Sequence, residues 1–371
     1  MKQVTKDISI LETPKGVSSL ILNFTLSFSA NFKGIDMKNF NKKYLLIFII
    51  CIIGIISVTI LSVTMGTKAI PKEVVYNAIF KFDQSNVDHI IIRNNRLPRA
   101  IAVLLVGGFL AVAGSIMQGI TRNYLASPSL MGVNDGSAFL ITIAMVFYPG
   151  LSNGSLILVS IIGSIIGAVL VLGIGSSIKN GLSPVRLAII GTIVGSFLSS
   201  LGSAIAMYFQ ISQTISAWYN TKVHTVNSDL LKLTVPIGVI GILIAIIIAK
   251  DITITSLGED IAISLGQKTN IIKYLSMTSV VLLTAISVAL VGKIAFVGLV
   301  IPNITRMLVG HDYKYIIPYS LIGGAFFLGL CDLLSRYIAF PFETPIGTVT
   351  SIIGVPFFLY MIKVKGGAKN A

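Results

Sequence analysis

Charged residues are scarce in this chain. They make up 11% of its 371 residues, whereas a soluble domain carries roughly 25%. Hydrophobic residues make up 54%, and they gather in repeated apolar runs of about 20 residues, the length that spans a bilayer. This composition excludes a soluble globular protein and predicts an all-α polytopic membrane protein.

Cysteine and the residues of catalytic and metal sites are also few. The two cysteines, Cys51 and Cys331, fall in separate apolar runs, where they suit packing better than a disulfide or a metal site. No G-x-x-x-x-G-K-[ST] loop is present to cradle phosphates, and the three histidines are scattered without an H-E-x-x-H pattern. We therefore predict a chain that is not an enzyme, binds no metal or other cofactor and cannot hydrolyse ATP itself.

Acidic side chains number 14 against 28 basic ones, and none stands in the middle of an apolar run. Asp135 lies near the start of the third run, Asp332 late in the ninth and Glu343 beyond it. Because carriers driven by ion gradients usually hold ionisable groups at mid-membrane, we expect no ion coupling here. Energy for transport would then come from another subunit, and a secondary transporter without an ATPase is the less favoured alternative.

Ten apolar runs predict ten membrane-spanning helices. They cover approximately 44–65, 97–118, 129–148, 155–177, 186–209, 231–249, 272–291, 294–309, 315–337 and 346–362. The eighth is short and contains Pro302, so we expect a broken or partly re-entrant helix there. The membrane domain is predicted over 41–365, between a polar, poorly ordered cytoplasmic extension (1–40) and a cytoplasmic tail (366–371). Met37 would make an ordinary start, so the first 36 residues are expected to be a dispensable cytoplasmic tail or to result from a start assigned too far upstream.

The basic residues predict the topology. Lysines flank the first and last runs, and an excess of Lys and Arg marks cytoplasmic loops, so both termini are expected in the cytoplasm. The net charge of +14 then comes from basic residues at span ends, which face anionic lipid headgroups, and does not indicate nucleic-acid binding. One loop disagrees: residues 68–99 would be external, yet they carry six Lys or Arg. A partner outside the membrane would explain that charge.

Small residues recur four apart within the runs. The pairs are Gly107/Ala111, Gly163/Gly167, Gly191/Gly195 and Gly202/Ala206. This spacing places both members on one helix face and lets backbones approach closely, which is how helices associate in lipid. The pairs predict a tightly packed bundle.

The cytoplasmic loop at 250–272 has a pattern of its own. It is formed by Leu257, Ile261 and Leu265, four residues apart, and by the bracketing Gly258 and Gly266. This pattern predicts a short amphipathic helix with a helix breaker at each end. Such a helix would present an apolar ridge to a docking partner; the alternative is a helix lying in the headgroups.

Four ordered segments resemble the permeases of type II ABC importers for ferric siderophores, haem or vitamin B12. They are RLPRAIAVLLVGGFLAVAGSIMQG with the RNYLASPSLMG that follows, SLGEDIAISLG (256–266), GKIAFVGLVIPNITRMLVGHDY (292–313) and ETPIGTVTSIIGVPFFLY (343–360). The resemblance covers residues 44–365 and implies a ten-helix subunit that pairs with a second permease, identical or different. Two ATPase subunits, which use the ATP, would attach on the cytoplasmic side, and an extracellular binding protein would dock opposite them.

The resemblance also implies roles for particular residues. The residues implied for coupling to the ATPase are Leu257, Gly258, Glu259, Ile261, Ala262, Leu265 and Gly266. The residues implied for docking acidic groups of the binding protein are Arg96, Arg99 and Arg336. The alternative for Arg96 and Arg99 is that they anchor a helix end at the lipid headgroups. The pore wall is expected on the fifth helix, at Gly191, Gly195, Ser196, Ser199 and Ser200. Gln118 and Asn123, near the inner end of the second helix, would be satisfied by a water-filled path or by inter-helix hydrogen bonds.

Two positions depart from the family pattern. The usual R-N-P-L-A has Tyr124 in place of its proline, and the usual P-H has Asn303 in place of its histidine. The expected function is import of an iron chelate, a ferric siderophore, with haem or vitamin B12 as alternatives that no single residue decides.

Overall fold

The computed structural model describes residues 42–65, 70–178, 184–221, 226, 228–339 and 342–367. Across these residues the regular structure is helical, and the one β interaction is an isolated bridge between Ala339 and Phe342. The predicted extension over 1–40 lies outside the described residues, and so does the end of the predicted tail.

The helices follow one another with short connections. In chain order they are α1 (Lys42–Thr64), α2 (Lys72–Phe80), α3 (Val87–Ile91), α4 (Leu97–Thr121), α5 (Val133–Phe147), α6 (Asn153–Ser177), α7 (Pro184–Tyr208), α8 (Ser212–Thr221), α9 (Ser228–Ile247), α10 (Ala249–Leu257), α11 (Glu259–Ser264), α12 (Thr269–Val291), α13 (Val297–Val309), α14 (Tyr313–Tyr337) and α15 (Ile346–Gly367). A π-helical turn (Ile92–Arg96) leads from α3 into α4, and a 3₁₀ turn (Pro128–Met131) precedes α5.

Among the described helices, seven segments are long and apolar enough to cross a membrane, and three shorter apolar helices accompany them. The shorter ones are α5, α13 and the apolar part of α15 (Ile346–Met361). Together these ten segments correspond to the ten predicted runs, so the all-α polytopic fold is confirmed.

Helix α4 is the centre of the bundle, and its small residues let neighbouring backbones touch it. A Cβ added to Gly107 would lie 2.3 Å from the carbonyl oxygen of Gly324 in α14, and one added to Gly324 would lie 2.5 Å from the Cβ of Ala111. A Cβ on Gly114 would lie 1.8 Å from the carbonyl oxygen of Gly298 in α13. Real side chains do not tolerate such distances, so the predicted packing role of the Gly107/Ala111 pair is confirmed.

The pair Gly163/Gly167 packs in the same way. A Cβ on Gly163 would lie 2.5 Å from the carbonyl oxygen of Gly136, and one on Gly167 would lie 2.3 Å from that of Gly132. Helices α5 and α6 therefore meet backbone to backbone at the start of α5, which confirms the prediction for this pair.

Helices α5 and α13 are short because each begins inside the bundle. Gly298, one residue into α13, packs against Leu110 and Gly114, and Leu110 lies roughly 20 Å along α4 from Leu97 at 1.5 Å per residue. By the same measure, Gly132 meets α6 about 20 Å from Asn153. Pro302 lies within a continuous α13, so the expected break at this proline is wrong, and the recessed start explains the short eighth run.

The basic loop before α4 is a folded cap. Helices α2 and α3 enclose a small apolar core whose buried members are Val63, Ile70, Ala78, Ile92 and Ala100. His89 of α3 is also buried, and its Nδ1 accepts a hydrogen bond from the backbone N–H of Asp83 at 3.1 Å. We name this end of the bundle, which holds Arg99, the outer end after the predicted topology. The inner end holds Gly119, which packs against Ile252 of α10.

Candidate functional site

A polar cavity lies between α5, α7 and the loop that joins α12 to α13. Its volume is about 530 Å³. Its walls are Ser129, Asn134, Asp135, Gly191, Thr192, Gly195, Ser196, Ser199, Ser200 and Lys293. The cavity thus brings together the α7 residues predicted for the pore wall, and hydroxyl groups and backbone account for most of its lining.

An ion pair lies across this cavity. Lys293 Nζ is 3.3 Å from Asp135 Oδ1. The Asp135 carboxylate packs on Gly195, whose added Cβ would be 2.6 Å from Asp135 Oδ2. Because Gly195 is near the midpoint of α7, Asp135 sits deep in the bundle. The expectation that no acidic side chain lies at mid-span is therefore wrong: Asp135 is early in its helix, but the helix begins inside the bundle.

The backbone around Lys293 is held in place at both ends of its loop. Gly292 has φ +85°, and an added Cβ would lie 2.7 Å from the carbonyl oxygen of Tyr219 in α8. Phe296 has φ +68°, a conformation that is strained for a residue with a Cβ. Its side chain packs on Gly354 of α15. These constraints fix the direction in which the Lys293 side chain extends from the backbone.

Tyr219 flanks the lysine. Its ring centroid is 5.8 Å from Lys293 Nζ, and its hydroxyl is 3.4 Å from Ser137 Oγ. Burial raises the pKa of the Tyr219 phenol well above its usual value, because the phenolate would lose its hydration. Tyr219 is therefore neutral at physiological pH and does not compete with Asp135 as an anionic partner of Lys293.

Gln118 lies inside the subunit rather than on this cavity. It is 1% exposed, and its Nε2 approaches the carbonyl oxygens of Gly298 and Leu299 at 3.4 and 3.3 Å. Its Oε1 accepts a hydrogen bond from Arg306 Nη2 at 3.1 Å. Of the two arrangements expected for Gln118, the structure has the inter-helix hydrogen bonds. Asn123 is exposed and caps its own turn, accepting from Leu125 N at 2.9 Å. Their role in a path stays a prediction.

The arginines predicted for docking bind within the chain. Arg99 and Arg336 share the carboxylate of Asp332, which is 1% exposed. Arg99 Nη2 is 2.8 Å from Asp332 Oδ1 and 2.8 Å from Glu343 Oε2, and Arg336 Nη2 pairs with Asp332 Oδ2. Two arginines and two acids form a neutral cluster, which ties α4 and α14 to the segment before α15.

Backbone carbonyls at the end of α1 complete this outer cluster. Arg336 Nη1 donates to the carbonyl oxygens of Ser62 and Met65 at 2.8 and 3.0 Å. Arg96 Nη1 donates to those of Val63 and Thr64 at 2.9 and 3.1 Å. A helix end exposes carbonyls without intrahelical partners, and these arginines satisfy them. Sequence reasoning missed this cluster, although acids are so few that Asp332 and Glu343 already marked a polar contact.

The predicted helix in the 250–272 loop is present as α11. Gly258 (φ +145°) and Gly266 (φ +79°) end the flanking segments in conformations that favour glycine. Ala262 is buried, whereas Leu257, Ile261 and Leu265 are 64%, 48% and 65% exposed. Three large apolar side chains therefore face away from the chain at the inner end.

Polar contacts brace α11 against its neighbours. Lys273 Nζ of α12 is 2.6 Å from Glu259 Oε1. Gln267 Nε2 donates to the carbonyl oxygen of Asp251 at 2.9 Å. Thr253 in α10 donates to Asp312 Oδ1 at 3.1 Å and so reaches the start of α14. The ion pair thus links α11 to α12, whereas the contact to the start of α14 is made by the neighbouring α10.

A bundle of apolar helices with an open polar pocket along the side of α7 and a short apolar helix at its inner end is typical of a membrane transport permease. Among the described residues, no group of three or more His, Cys, Asp or Glu side chains could hold a metal ion. Residues 47–364 match the FecCD transport family, and the chain belongs to that family.

Relatives and solved structures agree with this assignment. The chain is 56% identical over 311 residues to the iron-uptake system permease protein FeuB of Bacillus subtilis (strain 168), covering 84% of this chain and 93% of FeuB. It is 47% identical to that organism's iron(3+)-hydroxamate import system permease protein FhuB, covering 82% and 79%. An inward-facing structure assigned to a metal-chelate type ABC transporter matches with a TM-score of 0.73 at 28% identity, covering 86% of this chain and 99% of that one. The chain is a multi-pass membrane permease with an ABC importer fold.

Proposed function

We propose that this chain is the membrane-spanning subunit of an ATP-driven importer of a ferric chelate, specifically a ferric siderophore. Its family and its similarity to permeases of iron-uptake and iron-hydroxamate systems support this substrate class. Import of haem or vitamin B12 by the same architecture is the alternative. In this proposal the chain supplies the translocation path and the surfaces that couple it to its partners. Partner ATPases hydrolyse the ATP.

The observation that carries the proposal is the apolar surface of α11 with its flanking Leu257 and Leu265. These exposed side chains stand on or beside α10 and α11; α11 pairs with α12, and α10 contacts the start of α14. In a monomer such a surface marks a partner site. An ATPase that moved α10 and α11 together on binding ATP would shift α14 and α12 and so change access to the cavity. In this proposal the ATPase side and both termini lie in the cytoplasm.

A second permease subunit, identical or different, fits the exposed face of α7. Ile189, Ile193 and Phe197, four residues apart, are 53%, 63% and 65% exposed, next to the wall of the polar cavity. Lipid would cover this stripe as well as a second subunit would, but a chelate path cannot open onto lipid. Two copies facing each other along α7 would enclose the path.

The outer end receives an extracellular binding protein in this proposal. Arg93 is an exposed candidate for the contact, with its guanidinium carbon 4.5 Å from the ring centroid of Phe82. Docking by Arg96, Arg99 and Arg336, as the family resemblance implies, would require these side chains to exchange their partners within the chain. We therefore expect Arg93 to carry more of the encounter.

The test is reconstitution in liposomes with candidate ATPase subunits and a binding protein loaded with a ferric siderophore. We expect ATP hydrolysis that the loaded binding protein stimulates, together with iron uptake, and no comparable uptake of haem or vitamin B12. Failure of any ATPase to associate would contradict the importer proposal. Arg93→Glu should reduce stimulation at unchanged thermal stability, whereas Lys232→Glu, at an exposed lysine on α9 (77% exposed), should not reduce it.

A further inference from the structure

Lys293 lies where several cavities adjoin. Four cavities surround the loop between α12 and α13, and Lys293 is the residue that lines all four. One reaches Arg99 and Glu343 at the outer end, one follows α7 and α8, one reaches Pro128 before α5, and one is the polar cavity beside Asp135. Lys293 therefore borders each of these four spaces.

The ion pair that holds Lys293 is weak enough to be exchanged. The two side chains are 42% and 27% exposed, and their charged atoms are 3.3 Å apart. Pairs of this kind contribute little, because water and mobility compete with the contact. The buried pair of Arg99 and Asp332 at the outer end, 10% and 1% exposed, contrasts with it.

Ionisable side chains deep in a membrane protein are costly, and they are usually found where they serve a path. The backbone around this ion pair is also constrained. Phe296 has a strained conformation, Gly292 has a positive φ, and Gly195 leaves room for the Asp135 carboxylate. A packing role would need neither the charge nor its placement between cavities.

We infer that Lys293 is the anion-binding contact of the translocation path, which takes the negatively charged oxygen groups of a passing ferric chelate. The inference rests on the proposed function and names the class of chelate: one that carries carboxylate or catecholate oxygens. Asp135 holds the ammonium group while the path is empty, and the chelate replaces it on arrival. The charge left on Asp135 then repels the anion and promotes its release.

The geometry favours an anionic ligand on Lys293 over a cationic ligand on Asp135. Lys293 faces all four cavities, whereas Asp135 lines one of them and packs against Gly195. The hydroxyl groups of Ser196 and Ser199 line the same polar cavity and can donate to anionic oxygens. Together they form a shallow polar surface, which suits brief contact during passage.

The test compares two probes in proteoliposomes that contain the complete importer. One probe is a trianionic ferric tris-catecholate and the other a neutral ferric tris-hydroxamate, each delivered by a binding protein that accepts it. Lys293→Gln should slow uptake of the anionic chelate about tenfold, as expected for loss of one charged hydrogen bond, and should leave uptake of the neutral one nearly unchanged. Lys293→Arg should restore anionic uptake. Lys232→Gln, at an exposed ion pair on α9, is the matched control.

Each outcome decides a separate point. If Lys293→Gln slows both chelates equally, or neither, the anion contact is refuted while the importer function stands. If wild type neither imports a chelate nor stimulates ATP hydrolysis, the proposed function itself fails. Loss of binding-protein-stimulated ATP hydrolysis in Lys293→Gln would overturn the inference and assign the lysine to assembly of the bundle instead.

Discussion

The side-chain amide of Asn303 donates a hydrogen bond to the backbone carbonyl of Tyr124, with 3.0 Å between Asn303 Nδ2 and Tyr124 O. These are the two positions at which the sequence departs from the pattern of its family, and they lie 179 residues apart. Both also contact Arg306: the Tyr124 ring lies over its guanidinium at 4.4 Å, and Asn303 Oδ1 accepts from its Nη1 at 3.2 Å. The two departures thus form one site, which holds a buried arginine.

This site predicts the effect of removing the aromatic ring. Tyr124→Ala should lower the free energy of unfolding by about 1–2 kcal/mol, because Arg306 is 5% exposed and a cation–π contact of a desolvated cation contributes about that much. Tyr124→Phe keeps the ring and should stay close to wild type. Thermal unfolding in detergent measures both, and equal losses in the two variants would assign the effect to the hydroxyl group.

The contact between Gly114 and Gly298 predicts a severe effect of a single methyl group. Gly114→Ala would place a Cβ 1.8 Å from a backbone oxygen, so α4 and α13 must separate. We expect a loss of about 1–3 kcal/mol or more and lower expression. Gly173→Ala is the matched control in α6, because a Cβ there meets nothing within 4 Å. It should be neutral or stabilise the protein by about 0.5 kcal/mol. Similar losses in both would contradict backbone contact as the cause.

The sequence predicted the spans well because each is encoded locally. Apolar runs, Gly258 and Gly266 around α11, and glycines four apart all act within one segment, and the helices, the loop helix and two of the packing pairs followed from them. The position of the start of α5 inside the bundle could not be predicted from such local patterns. Its start is set by the contact of Gly132 with Gly167, which no periodicity reports, so Asp135 appeared to lie at a helix end.

The outer cluster was missed for a related reason. Arg99 meets Asp332 and Glu343, which lie 233 and 244 residues further along the chain. An arginine at a span end looks the same in sequence whether it points to a partner protein, to headgroups or to a buried acid. The scarcity of acids was the available signal, since an isolated Asp late in an apolar run needs a cation nearby.

Removing the shared acid should therefore destabilise the protein strongly. Asp332→Asn leaves Arg99 and Arg336 close together with Glu343 as their acidic partner, and loss of one member of a buried ion pair costs about 3–5 kcal/mol. Asp229→Asn, at an exposed pair with Lys232, should change the free energy of unfolding by less than about 1 kcal/mol. Thermal unfolding in detergent tests both. If Asp332→Asn were as stable as wild type but lost stimulation by the binding protein, the arginines would be docking groups after all.

The two faces of α11 predict opposite behaviour. Ile261→Ser changes an exposed side chain, so the isolated permease should keep its thermal stability while ATPase association and coupled uptake fall severalfold. Ala262→Leu adds volume to a buried position and should lower stability by about 1–3 kcal/mol. Co-purification of the ATPase and thermal unfolding separate the effects. Normal association of the Ile261→Ser variant would show that this ridge lies in the headgroups.

A pH-dependent effect is expected at Asp251, in α10 at the inner end. Burial raises the pKa of its carboxyl above the usual 3.8, since the carboxylate loses hydration. Because the pKa is higher in the folded state, the ionised form opposes folding: the cost is fully present above the folded-state pKa and is absent below the unfolded one. Asp251→Asn should therefore raise the unfolding temperature at neutral pH, and the gain should shrink as the pH falls through the raised pKa. Unfolding temperatures across this range measure it, with the exposed Asp229→Asn as control. A gain that grows on acidification would contradict a raised pKa.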